Sequence, residues 1–105
     1  NVGINRVRAR CLDFKNINTI EKMVFQSPGG FEATHKSYFY QAARDIDKTL
    51  AKRVINGERF APATRSLWFY NPFGEACRVT WYGQYNVGYY KSHCFYEPDR
   101  NENCY

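Results

Sequence analysis

The spacing of apolar residues changes character at Pro62, and that change restricts the chain to an architecture of helices followed by strands. Upstream, Phe39, Ala42, Ala43, Ile46, Leu50 and Val54 recur at helical intervals, with Arg44, Asp45, Asp47, Lys48 and Lys52 on the other face. This predicts the longest helix from about Ser37 to Asn56, with Gly57 where a left-handed capping residue belongs. Residues 2–10 read as the end of a helix in which Val2, Ile4 and Val7 are apolar. Asn18 and Glu21 have the spacing of a capping box ahead of a short helix through Ile20, Met23 and Val24. Ser27-Pro28-Gly29-Gly30 must stop it, because proline disfavours a helical residue before it. Downstream of Pro62, the stretches Leu67–Tyr70, Val79–Tyr82 and Val87–Tyr96 are aromatic and β-forming, broken by Gly74, Gly83 and Gly88. Helices first and strands later define an α+β fold.

A chain of 105 residues holds one domain with a modest core. An apolar fraction of 44%, with 18% aromatic residues, excludes a disordered chain. No apolar run approaches the roughly 20 residues of a membrane-spanning helix, and no charged segment followed by an apolar one marks a signal peptide. The net charge of +5 suits ordinary solubility or attraction to a polyanion, either nucleic acid or a carboxylate-rich polymer such as peptidoglycan. The basic residues gather at Arg6, Arg8, Arg10 and Lys15, and again at Arg44, Lys48, Lys52, Arg53 and Arg59. No pattern of a known nucleic-acid module accompanies them. The four cysteines contain no Cys-x-x-Cys pair. That favours buried thiols or disulfides over a metal site drawn from Cys77, His93, Cys94 and Cys104.

Both tryptophans lie between Leu67 and Tyr96, in a segment that reads Leu67-Trp68-Phe69-Tyr70-Asn71-Pro72, then Trp81-Tyr82, then Ser92-His93-Cys94-Phe95-Tyr96. Flat rings beside an Asn-Pro break and a histidine suit a cleft that stacks a polar ligand such as a sugar. The same segment resembles the C-terminal signature of the spore cortex-lytic cell wall hydrolases, the SleB/CwlJ family. Further stretches resemble that family in the same order: Asn5-Arg6-Val7, Phe25 to Ala33, Tyr38 to Asp45, and Ile55-Asn56-Gly57-Glu58-Arg59. The cysteine pattern and the Asn-Gly-Glu-Arg run are similar to the CwlJ type.

The resemblance implies a small lysozyme- or lytic-transglycosylase-like domain that cleaves the peptidoglycan of the spore cortex during germination. Relatives of the SleB type cut the glycan strand with a glutamate as acid and base and without a metal, whereas CwlJ types have also been labelled amidases. It further implies a location in the spore coat near the cortex, a coat protein that anchors the enzyme, and calcium dipicolinate as activator. The family's acidic motif would fall before Asn1, on a helix that this chain lacks, so the chain alone is expected to have little activity. Within it, Glu32 is the best remaining acid, set between Phe31 and Ala33 after a Gly-Gly turn. His93 is the second candidate catalytic residue, and Trp68, Tyr70, Asn71 and Trp81 are candidate sugar-binding residues. Strand alternation aims Trp68 and Tyr70 the same way, so Trp68, Tyr70, Asn71 and His93 are expected to border one cleft with Glu32 at its rim. Two rivals stand beside this reading: a spore coat protein without catalysis, and a basic aromatic module that binds nucleic acid.

Overall fold

The computed structural model describes residues 1–26, 31–36 and 41–104, apart from the side chains of Asp13, Glu32 and Ala33. Among the described residues, three α-helices, α1 (Val2–Arg8), α2 (Ile20–Val24) and α3 (Asp45–Ile55), precede four strands, β1 (Trp68–Tyr70), β2 (Thr80–Trp81), β3 (Gln84–Tyr90) and β4 (His93–Glu97). The strands form one antiparallel sheet in the order β1-β4-β3-β2. The α+β class read from the sequence is therefore the observed one.

Several boundaries differ from expectation for local reasons. Helix α1 ends at Arg8 rather than at residue 10, because Ala9 is extended and its N–H closes the last turn on Asn5. Thr19, not Asn18, caps α2: its hydroxyl accepts the Lys22 N–H at 3.1 Å. Helix α3 starts at Asp45, since Arg44 is extended and the Asp47 carboxylate accepts the Arg44 N–H at 3.2 Å. Of the expected helix from Ser37, residues 37–40 lie outside the described part and 41–44 are not helical. The turn Ser27–Gly30 also lies outside it. At the other end of α3 the expected cap is present. Gly57 has φ +111°, its N–H bonds the Val54 carbonyl, and the Glu58 N–H bonds the Arg53 carbonyl, which together satisfy the helix's last turn. The expected apolar face of α3 is only partly used, with Val54 buried and Ile46 and Leu50 exposed.

Within the stretch Val87–Tyr96, read as short strands and loops, β3 turns into β4 as a hairpin. Lys91 and Ser92 both have positive φ (46° and 72°), the backbone that a two-residue turn between right-twisted strands requires. A register shift between Asn86 and Gly88 bends β3. The Asn86 amide spans the irregularity, donating to the Gly88 and Phe95 carbonyls at 3.3 and 3.2 Å. Gly88 is required there, because a Cβ would stand 2.5 Å from the Cβ of Pro62 on a backbone with φ +150°.

The four cysteines form two disulfides, which settles the alternatives left by the sequence. Cys11–Cys104 joins positions 93 residues apart, and Cys77–Cys94 ties the loop before β2 to the middle of β4. The first bridge sits in the core with Ala9, Phe14 and Leu67, against which Trp68 packs.

Candidate functional site

The Asn-Arg-Val segment of α1 is the keystone between the helices and the sheet. Asn5 is buried, and its amide donates to the carbonyls of Ala63, Thr64 and Ser66 at 3.2, 3.2 and 3.0 Å. Its side-chain oxygen accepts from Arg59 Nε at 3.0 Å, so all of its polar atoms are engaged. Arg6 is buried beside it and donates from Nε to the Leu67 carbonyl at 2.7 Å. Its guanidinium lies 5.3 Å from the Phe14 ring centroid and 5.0 Å from that of Phe31. Burial pushes the Arg6 side chain down to about 10, which still leaves it charged at neutral pH. Arg59 also donates to the Val54 carbonyl at 2.8 Å, and Arg53 pairs with Glu58 at 2.6 Å. Glu58 is thus structural, as its turn-forming neighbours suggest.

These bonds hold the chain from Phe60 to Leu67 over the sheet and frame a cleft of about 700 Å³. Its walls come from the start of α1, from Leu50 and Val54 of α3, from Phe60 to Ala63, and from one face of the sheet. On that face stand Phe69, His93 and Phe95, with Tyr90 and Lys91 at the hairpin. The His93 ring meets Phe69 edge-on at 5.4 Å, and Phe69 lies 6.2 Å from Phe95 and 5.9 Å from Phe31. His93 Nδ1 is 3.1 Å from the Lys91 carbonyl. A carbonyl only accepts, so Nδ1 is the donor in this bond, and in the neutral ring that leaves the Nε2 lone pair for a ligand. None of the described residues lining this cleft is a carboxylate. Glu32 belongs to a short turn, Glu32–His35, that follows Phe31, and its side chain lies outside the described part.

The expected single cleft is divided by the sheet. Trp68 pairs with Tyr96, Phe69 with Phe95 and Tyr70 with Cys94, so side chains alternate across β1. Trp68 and Tyr70 do share a face, as expected, but His93 is on the opposite one with Phe69. Trp68 serves the core, 5.6 Å from Phe14. Tyr70, Asn71 and Trp81 come together in a separate groove of about 340 Å³ with Glu75, Arg78 and Tyr82. Of the residues missed in the His93 cleft, Phe69 and Tyr90 are reached by counting by twos from His93 to Phe95 and crossing to the paired strands, whereas Phe60 and Lys91 carry no such signal.

Tyr96 underlies the second groove. It is fully buried and stacks on Tyr70 at 5.6 Å, and its hydroxyl donates to the Arg78 carbonyl at 2.6 Å. Burial pushes that hydroxyl up to about 12.

A ring-lined cleft with one histidine, held by the buried Asn-Arg brace over one face of the sheet, is a site that can take a polar ligand with flat apolar faces. The chain belongs to the cell wall hydrolase family, whose model matches residues 1–96. More narrowly it is of the CwlJ type. It is 66% identical to the cell wall hydrolase CwlJ of Oceanobacillus iheyensis, over 93% of this chain and 69% of that protein. Identity to CwlJ of Halalkalibacterium halodurans is 62%, over 93% and 68% of the two chains. For CwlJ of Bacillus subtilis it is 55% over the same shares. No solved structure matches the chain. No helix among the described residues is long and apolar enough to cross a membrane.

Proposed function

We propose that the protein cleaves peptidoglycan of the spore cortex during germination, and that the polymer lies in the His93 cleft. The observation that carries this reading is the cleft itself, lined by Phe69, Tyr90 and Phe95 around an uncommitted histidine nitrogen, in a chain of the cell wall hydrolase family. Phenyl and phenol faces take the C–H face of a sugar ring, while His93 Nε2 accepts from a hydroxyl or acetamido N–H. Lys91 at the mouth offers a cation to the carboxylates of the polymer.

The glycosidic bond needs an acid to protonate the leaving oxygen. Among this chain's own acids Glu32 is the candidate for that role, because it follows Phe31, whose ring packs on the cleft residue Phe69. The bond cut is the glycosidic one, in the manner of a lytic transglycosylase, and the fold is a small member of the lysozyme-like class. The enzyme works in the spore coat next to the cortex, held there by a coat protein.

Mass spectrometry of the products from purified cortex tests this directly. Anhydromuramoyl ends that disappear in a Glu32→Gln variant are expected. Free stem peptides in place of glycan fragments would make the enzyme an amidase, and undiminished anhydro products from the variant would assign the acid to another residue.

A further inference from the structure

We propose that the opposite face of the sheet carries a second glycan-binding surface, built by Tyr70, Asn71, Trp81 and Tyr82, that holds the polymer without cutting it. The proposal rests on peptidoglycan being the polymer, and it adds a site that the cleft does not need.

The first argument is the cost at which this surface is presented. Tyr82 has φ +51° in the two-residue turn between β2 and β3, followed by Gly83 at +83°. Phe73 has φ +51° and is followed by Gly74 at +88°. Asn or Gly suits such positions, and a bulky side chain is disfavoured there. Neither ring recovers that cost by burial, since Tyr82 is 87% and Phe73 88% exposed. Strained residues that bury nothing point to a ligand.

The second argument is chemical. Trp81 lies 4.8 Å from Tyr70 and 5.6 Å from Tyr82, making a run of neighbouring rings. Polar groups interrupt that run. The Asn71 side-chain oxygen accepts the Phe73 N–H at 2.8 Å, which fixes the amide and leaves its NH₂ as a donor in the groove. Glu75 and Arg78 line the same groove and are exposed. A pyranose ring has an apolar C–H face and a rim of hydroxyl and acetamido groups, and muramic acid adds a carboxylate for Arg78. Rings interleaved with hydrogen-bonding groups match both features of that ligand; Tyr, Trp and Arg also mark protein interfaces, and a soluble glycan probe separates the two.

Third, the surface is rigid before any ligand arrives. Tyr70 is stacked on Tyr96, and its hydroxyl accepts the Arg78 N–H at 3.2 Å. Trp81 also leans on Tyr96 at 5.5 Å, and Cys77–Cys94 anchors the intervening loop to β4. Little freedom remains to be lost on binding.

Titration of the protein with the soluble probe tetra-N-acetylchitotetraose, followed by nuclear magnetic resonance, tests the proposal. The indole N–H of Trp81 and the side-chain amide of Asn71 are expected to shift, while the indole of Trp68 stays in place. Tyr82→Ala, a change at an exposed ring that spares the core, should weaken this response about tenfold, the worth of one stacked ring. An unmoved Trp81 signal at millimolar probe would overturn the second site, even if the His93 signals move, and would turn the patch into a protein-docking surface. A shifted Trp81 in a protein that releases nothing from cortex would uphold this site and reject the hydrolase reading.

Discussion

The two faces of the sheet are braced by different chemistry. Toward the helices, the brace is polar and long-range: Asn5 and Arg6 reach carbonyls about sixty positions away, and Arg59 returns to Asn5. On the far face it is aromatic and covalent, with Tyr70, Trp81 and Tyr96 in mutual contact and Cys77 bridged to Cys94. The difference separates support from contact. Asn5, Arg6 and Arg59, which lie in stretches that resemble the family, hold the cleft open without lining it. The rings that most resemble a sugar platform lie on the face away from His93.

The largest effect should come from the core crosslink that belongs to neither brace. Replacing Cys11 and Cys104 by serine removes a crosslink spanning 93 residues and should cost about 4–5 kcal/mol on the chain-entropy account. The same change at Cys77 and Cys94, 17 residues apart, should cost about 3 kcal/mol. Equal losses in urea melts would mean that loop length is not what sets these contributions.

Asn5→Ala probes the polar brace alone. It removes the Asn5 partner of the Thr64 and Ser66 carbonyls and of Arg59 Nε, while the Ala63 carbonyl keeps the Ser66 N–H and Arg59 keeps the Val54 carbonyl, for an expected loss of about 2–3 kcal/mol. Ring-current shifts of Tyr70 and Trp81 should be kept in the folded fraction, because the far face has its own supports. Their collapse at full helix content would show the two braces to be one.

The smallest effect at neutral pH belongs to Tyr96. Its hydroxyl titrates near 12 in the folded chain because it is buried, whereas an unfolded tyrosine ionises near about 10. Between those values the unfolded chain holds fewer protons, so stability falls as pH rises through that window and is unaffected below it. Tyr96→Phe should flatten the slope above pH 10, as read by melting temperature. An unchanged slope would place the alkaline loss elsewhere.

Much of this was legible in the sequence. The order of helices and strands, the left-handed glycine after α3 and the shared face of Trp68 and Tyr70 all follow from spacing and turn chemistry. The division of the site did not follow, because motif order along the chain carries no face. Phe69 and Tyr70 are neighbours in one motif and serve opposite sides of the sheet. The hairpin at Lys91-Ser92 was hidden as well, since neither residue is a glycine or asparagine that announces positive φ. Nor does any local pattern show that Asn5 reaches across to residues 63–66. Such a bond is made by tertiary packing.

The most direct test of the account is the rate at which the folded protein clears a suspension of purified cortex, measured for His93→Ala and His93→Gln beside the parent. The account predicts a fall of at least about tenfold in His93→Ala, where the Nε2 acceptor in the cleft is lost, and a smaller fall in His93→Gln, whose amide oxygen keeps an acceptor there, with both melting temperatures close to the parent's. Parental rates from both variants would contradict it and remove the His93 face from the chemistry.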